Sequence, residues 1–181
     1  MTGVGGQGIQ LIAKLLAQAG IDEGRRVMMF GLFEGMIRGG SSESTVVLAD
    51  AEILTPPIVP RAWAVLAMHP EGLPKLAGKA EPGGVLVLNS SLVAKPPAWE
   101  GVTQVAVPAT DLAKQAGQVM GASMIALGAF AGATGIVRLE SLVQALGAVL
   151  PPHRRKLIET NQRCLELGVA QVTRGSARAW S

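Results

Sequence analysis

GVGGQGIQLIAKLL, residues 3–16, sets a glycine-rich turn directly against an apolar helix. Gly3, Gly5 and Gly8 have the spacing G-x-G-x-x-G, in which glycines permit a tight turn and bring helix-terminal N–H groups close to a pyrophosphate. The same glycines also suit a close helix–strand crossing that holds no ligand, and both alternatives stand at this point. A phosphate-binding turn of this kind follows a buried strand, yet only Met1 and Thr2 precede Gly3. That leaves a first strand cut short or one reduced to about residues 1–4.

Working outward, short runs rich in Val, Leu and Met alternate with segments of helical period. Strands are expected over 25–30, 44–49, 62–67, 84–89 and 102–107, and helices over 7–22, 70–78, 109–119, 122–134, 139–149 and 153–167. The last four helices have no strand between them. The fold class is therefore α/β: a three-layer α/β/α arrangement of a mostly parallel, Rossmann-like sheet with a helical C-terminal section. Proline-rich stretches at 55–60, 81–84 and 94–101 serve as connectors. Residues 1–172 form a single domain, with 173–181 as a flexible tail.

Of the 181 residues, 49% are hydrophobic and 16% charged, with a mean hydropathy of +0.36, so apolar surface is left for a partner subunit to cover. The net charge of +3 comes from the end of the chain, where Arg154, Arg155, Lys156, Arg163, Arg174 and Arg178 face only Glu159 and Glu166. With no Tyr, three Phe and three Trp, base-stacking platforms are scarce and nucleic acid is not expected as a partner. A single cysteine, Cys164, excludes an intramolecular disulfide, a thiolate zinc site and an iron–sulfur cluster ligated by this chain alone, and fits a reducing, cytoplasmic compartment. No signal peptide is recognised at the start. Residues 115–137 carry no charge, but their glycines and polar side chains favour a helix buried on all sides over a membrane span. Gly128 and Gly132 within it allow another element to approach closely.

A nicotinamide enzyme needs an acidic residue at the end of the second strand to hold the ribose, and this chain offers MMFGLF at 28–33. A second glycine-rich stretch follows, FGLFEGMIRGGSSES at 30–44, read as a loop in which Arg38, Gly39, Gly40 and Ser41 present a guanidinium fork and backbone N–H groups to an anion. His69, just past the end of a strand, is the better-placed of the two histidines for catalysis, against the alternative of a turn cap before Pro70. His153 opens a basic helix. Cys164 reads as a small buried hydrophobe. No complete catalytic constellation emerges.

Together, GVGGQGIQLIAKLLAQA (3–19) and GLFEGMIRGGSSESTVVLAD (31–50) resemble the gamma subunit, or gamma domain, of the 2-oxoacid:ferredoxin oxidoreductases. The resemblance continues through AWAVLAMHPEGLPKLAGKAEPGGVLVLNSSLV (62–93), GASMIALGAFAGATGIVRLESLVQAL (121–146) and KLIETNQRCLELGVA (156–170). It implies a component of an enzyme that oxidatively decarboxylates a 2-oxoacid with coenzyme A and passes electrons through iron–sulfur clusters to ferredoxin. Thiamine diphosphate, magnesium and the clusters would belong to thiamine-binding alpha and beta subunits and an iron–sulfur subunit. This chain would contribute no catalytic residue, and Gly3, Gly5, Gly6, Gln7, Gly8, Arg38, Gly39, Gly40 and Ser41 would face coenzyme A phosphates. Pyruvate, 2-oxoglutarate, branched-chain and aryl 2-oxoacids all stay open as substrates, with Val4, where the pyruvate branch has arginine, a slight lean away from pyruvate. Two other expectations stay open: a stand-alone dinucleotide-binding oxidoreductase, and a purely structural assembly subunit. The isolated chain could form a homodimer.

Overall fold

The computed structural model describes residues 1–33, 40–54 and 56–180, with the side chain of Phe33 left out. Six strands, β1 (Thr2–Val4), β2 (Arg26–Phe33), β3 (Ser41–Ala49), β4 (Ala62–Ala67), β5 (Ala80–Asn89) and β6 (Thr103–Val107), form one sheet in the order β2-β3-β1-β4-β5-β6. β1, β4, β5 and β6 run parallel, while β3 is antiparallel to both of its neighbours. Of the stretch expected as a loop over 30–44, residues 30–33 and 41–44 are strand. Arg26–Phe33 pairs with Ser42–Ala49 rung by rung, because a hairpin satisfies the backbone groups that a loop would leave to water. The first strand spans Thr2–Val4.

The helices are α1 (Ile9–Asp22), α2 (Leu73–Leu76), α3 (Ala109–Gln115), α4 (Ala122–Thr134), α5 (Leu139–Val149) and α6 (Ile158–Val169). They match the expected periods closely, with 3-10 turns at Pro70–Gly72, Val119–Gly121 and Pro152–Leu157 shortening three of them. One sheet face packs Leu66, Val85, Val87 and Val107 against a thick helical layer carrying Ile12, Leu15, Ile125, Leu127, Leu142 and Leu165. The other face holds a smaller cluster, Val65, Ala67, Leu86 and Leu88 with Leu76 of α2 and Val93, and it thins out toward β2.

α4 is buried on nearly every side, and no described helix is long and apolar enough to cross a membrane. Its seam with α6 is close because Gly128 lies against the Leu165 backbone and Gly168 against that of Ile125 and Ala129. Residues 173–180 pack back on the end of α4. Gly175, Ala177 and Ala179 donate backbone N–H groups to Gly132 O (3.0 Å), Ala133 O (2.9 Å) and Thr134 O (2.8 Å), while Gly135 N takes Ala131 O. The four orphan carbonyls at the end of α4 are thereby all satisfied. Trp180 seals this end, donating to Ile136 O at 2.9 Å, with the Arg25 guanidinium 3.5 Å above its ring and paired to Asp50.

Candidate functional site

The two glycine blocks meet at the C-terminal end of β1. Gly5 N donates to Gly40 O at 2.8 Å, and Val4 pairs with Ser41 in the sheet, so Gly3, Gly5, Gly6, Gln7, Gly8, Gly40 and Ser41 form one cluster. Arg38 and Gly39 lie outside the described residues. The loop turns tightly on Gly6 and Gly8, at φ +92° and +78°. At Gly8 space demands glycine as well, since a Cβ would stand 2.8 Å from Ser123 Oγ, a buried hydroxyl at the start of α4.

Much of the loop's donor capacity is already used. Val4 N donates to Gln7 Oε1 at 2.9 Å, Gln7 N to Val4 O at 3.1 Å, and Gly5 N to Gly40 O. That leaves the amides of Gly6 and Gly8 and the first turn of α1. Gly8 caps this 14-residue helix without a side-chain bond, and no acidic residue occupies its first turn, so its positive end meets no negative charge from its own sequence. α3 presents the opposite case. Asn89, fully buried at the end of β5, accepts from Thr110 N (3.2 Å) and donates to Thr110 Oγ1 (2.8 Å) and Met68 O (3.3 Å), while Ser91 Oγ accepts from Asp111 N (3.0 Å). Its start is closed by protein.

Sequence reasoning missed Gln10. Its carboxamide donates to Glu43 O at 2.9 Å and accepts from Ser44 Oγ at 2.9 Å, tying α1 to β3 one turn past the glycine loop. A glutamine two residues after Gly8 carried no signal beyond its polarity near the start of an apolar helix. His69 takes the turn-capping role: its Nδ1 accepts from Glu71 N at 3.4 Å, and Glu71 Oε2 lies 3.9 Å away. Cys164 is buried against Gly121, and burial pushes its thiol pKa up, away from thiolate chemistry. Among the described residues, no group of three or more His, Cys, Asp or Glu could hold a metal ion.

The chain is similar to known proteins along almost its whole length. The gamma subunit of a keto/oxoacid ferredoxin oxidoreductase from Geobacter sulfurreducens PCA superposes with a TM-score of 0.79 at 28% identity, over 94% of each chain. A 2-oxoglutarate:ferredoxin oxidoreductase from Magnetococcus marinus shares the fold, with a TM-score of 0.83 at 23% identity, over 94% of this chain and 30% of that one. The ketoisovalerate oxidoreductase subunit VorA of Methanothermobacter marburgensis is 31% identical over 93% of this chain, which spans 35% of that subunit's length. The 2-oxoglutarate synthase subunit KorC of Methanothermobacter thermautotrophicus is 27% identical over 97% of this chain and 95% of its own. Residues 1–171 match the model of the pyruvate ferredoxin/flavodoxin oxidoreductase family, and the chain belongs to that family.

Proposed function

We propose that this chain is the gamma component of a 2-oxoacid:ferredoxin oxidoreductase complex that carries out coenzyme A-dependent oxidative decarboxylation. The single observation that carries this reading is the end-to-end likeness to a gamma subunit, covering 94% of both chains. Thiamine diphosphate, magnesium and iron–sulfur clusters then sit in alpha, beta and iron–sulfur subunits, and this chain's part is assembly and the lining of a crevice. Its surface supports that role. Met28, Phe30 and Leu32 stand exposed in a row on β2, at the edge where the second sheet face thins out, and Val119 and Met120 are exposed at another corner. Such apolar surface suits burial against larger subunits.

Coenzyme A contact at the glycine cluster rests on the uncapped start of α1. Phosphate oxygens there would meet the Gly6 and Gly8 amides and the helix dipole, with Arg38 and Gly39 adjacent along the chain. The spent Val4, Gly5 and Gln7 amides weigh against the alternative of a dinucleotide gripped by the whole loop. The substrate class is a 2-oxoacid, in line with the ketoisovalerate and 2-oxoglutarate names of the relatives.

Affinity capture of the chain from its own cells, with the eluate assayed for viologen reduction by a panel of 2-oxoacids with and without coenzyme A, tests the proposal. Coenzyme A-dependent activity with thiamine- and iron–sulfur-bearing chains in the eluate is expected. A chain recovered alone that binds NAD(P) tightly would overturn it.

A further inference from the structure

α1 and α4 start side by side. Ser123, the second residue of α4, directs its Oγ at Gly8, the residue that caps α1, and that oxygen stands 2.8 Å from where a Cβ on the glycine would lie. Neither start is closed by its own sequence. Gly8 and Gly121 cap the two helices without a side-chain bond, and neither first turn holds an acidic residue. In α3, α5 and α6 the first turn does hold one, Asp111, Glu140 and Glu159 in that order. A helix start carries roughly half a positive charge on its free N–H groups, so two adjacent starts repel each other and together attract an anion.

The hydroxyl between them is an independent sign of a ligand. Ser123 is only 3% exposed, and its Oγ bonds to no described residue, although burying a hydroxyl without a partner costs stability. Thr134, at the far end of the same helix, shows the ordinary solution, its Oγ1 donating to Phe130 O at 2.6 Å. Ser123 Oγ instead faces the glycine loop. No described side chain other than its own and those of Gly8's chain neighbours comes within 4 Å of the Cβ position on Gly8, so the glycine leaves the hydroxyl open to whatever the loop holds. A hydroxyl rotates freely about its C–O bond and can turn its proton that way.

We propose that Ser123 is a phosphate ligand: its hydroxyl donates to a phosphate oxygen of coenzyme A lying between the starts of α1 and α4, beside the Gly6 and Gly8 amides. This rests on the reading of the glycine cluster as a coenzyme A contact, and adds to it a donor from the helical section of the chain rather than from the loop. An oxyanion is the ligand class that fits, because the site offers N–H and O–H donors at two positive helix ends. A hydroxyl that costs stability without a partner, and gains one from the ligand, gives Ser123→Ala two effects of opposite sign.

The test uses the complex recovered by affinity capture, with Ser123→Ala or Gly6→Asp introduced into this chain. Ser123→Ala is expected to raise KM for coenzyme A about 10-fold or more while KM for the 2-oxoacid stays where it was. It should also raise the melting temperature of the isolated chain by about 2–4 °C. Gly6→Asp sets a carboxylate in the open space beside the loop and should raise KM for coenzyme A as well. An unmoved KM in Ser123→Ala beside a raised one in Gly6→Asp overturns the proposal and leaves coenzyme A at the glycine cluster. Unmoved values in both variants overturn the reading of the cluster too. A lower melting temperature with both KM values raised in Ser123→Ala would give the hydroxyl a purely structural role, and the proposal falls with it.

Discussion

Replacing Gly168 with alanine should separate the two most intimately packed helices of the molecule. A methyl group at Gly168 would stand 2.7 Å from Ala129 N and 2.8 Å from the Ile125 carbonyl carbon, and closer still to that carbonyl's oxygen. Both obstacles are backbone, so neither can rotate away. Relief requires α4 and α6 to part by about 1 Å along a seam that buries Met124, Ile125, Cys164 and Leu165, and overpacking of this kind costs about 1–3 kcal/mol. Alanine's better helix propensity returns about 1 kcal/mol. With backbone on both sides the upper part of the range applies, for a net loss of about 2 kcal/mol and a melting temperature about 4–8 °C lower in a chain of this size. Gly128→Ala should behave alike, its methyl falling 2.8 Å from the Leu165 carbonyl carbon. The double variant should lose distinctly less than the sum, because one displacement relieves both clashes. Gly147→Ala, in α5 with nothing within 4 Å, is the control and should gain about 0.5–1 kcal/mol. Thermal and urea unfolding followed by circular dichroism measure all four. Gly168→Ala matching Gly147→Ala, or strict additivity in the double variant, would refute the reasoning.

The amine of Met1, lowered from 8.0 to about 6 by burial, makes the folded chain bind fewer protons than the unfolded one between those values. Stability of a chain with a free Met1 amine should therefore rise from pH 6 to pH 8, by at most about 2.7 kcal/mol, and Nα-acetylation should flatten that part of the urea-unfolding profile. Asn89→Ala removes the cap of α3 together with the tie to Met68 O, and should cost about 2–3 kcal/mol, read as a lower urea midpoint. Phe30→Glu with Leu32→Lys should leave the isolated chain within about 0.5 kcal/mol of its original stability yet abolish copurification with larger subunits in the capture assay; retained copurification would remove β2 from the contact surface.

Alternating apolar runs and helical periods were enough to place β4 and five of the six helices within a few residues. The hairpin was less legible. Its facing strands carry MMFGLF and SSES, whose glycine and serine read as loop, and what makes them strands is pairing with each other across a gap in sequence. The contacts of the C-terminal residues were illegible for a related reason: their bonds to α4 are made by backbone N–H groups of Gly175, Ala177 and Ala179, which leave no side-chain signature. At the site, each glycine block was legible as glycine-rich, but their meeting and their mutual consumption of donors were not. Only the register of Val4 opposite Ser41 sets Gly5 N on Gly40 O, and register is a property of the folded sheet.

The closure of α4 by residues 175–180 also bears on the order in which the protein is made. α4 is the most deeply buried of the described helices, yet three of its terminal carbonyls find their partners only in Gly175, Ala177 and Ala179, which are synthesised well after it. Until those residues have cleared the exit tunnel, the central helix is open at one end and Arg25 has no indole beneath it. The sheet and its first helix can form during synthesis before the core is sealed. A rigid insertion or a deletion within 173–180 would thus act on the middle of the molecule rather than on its edge.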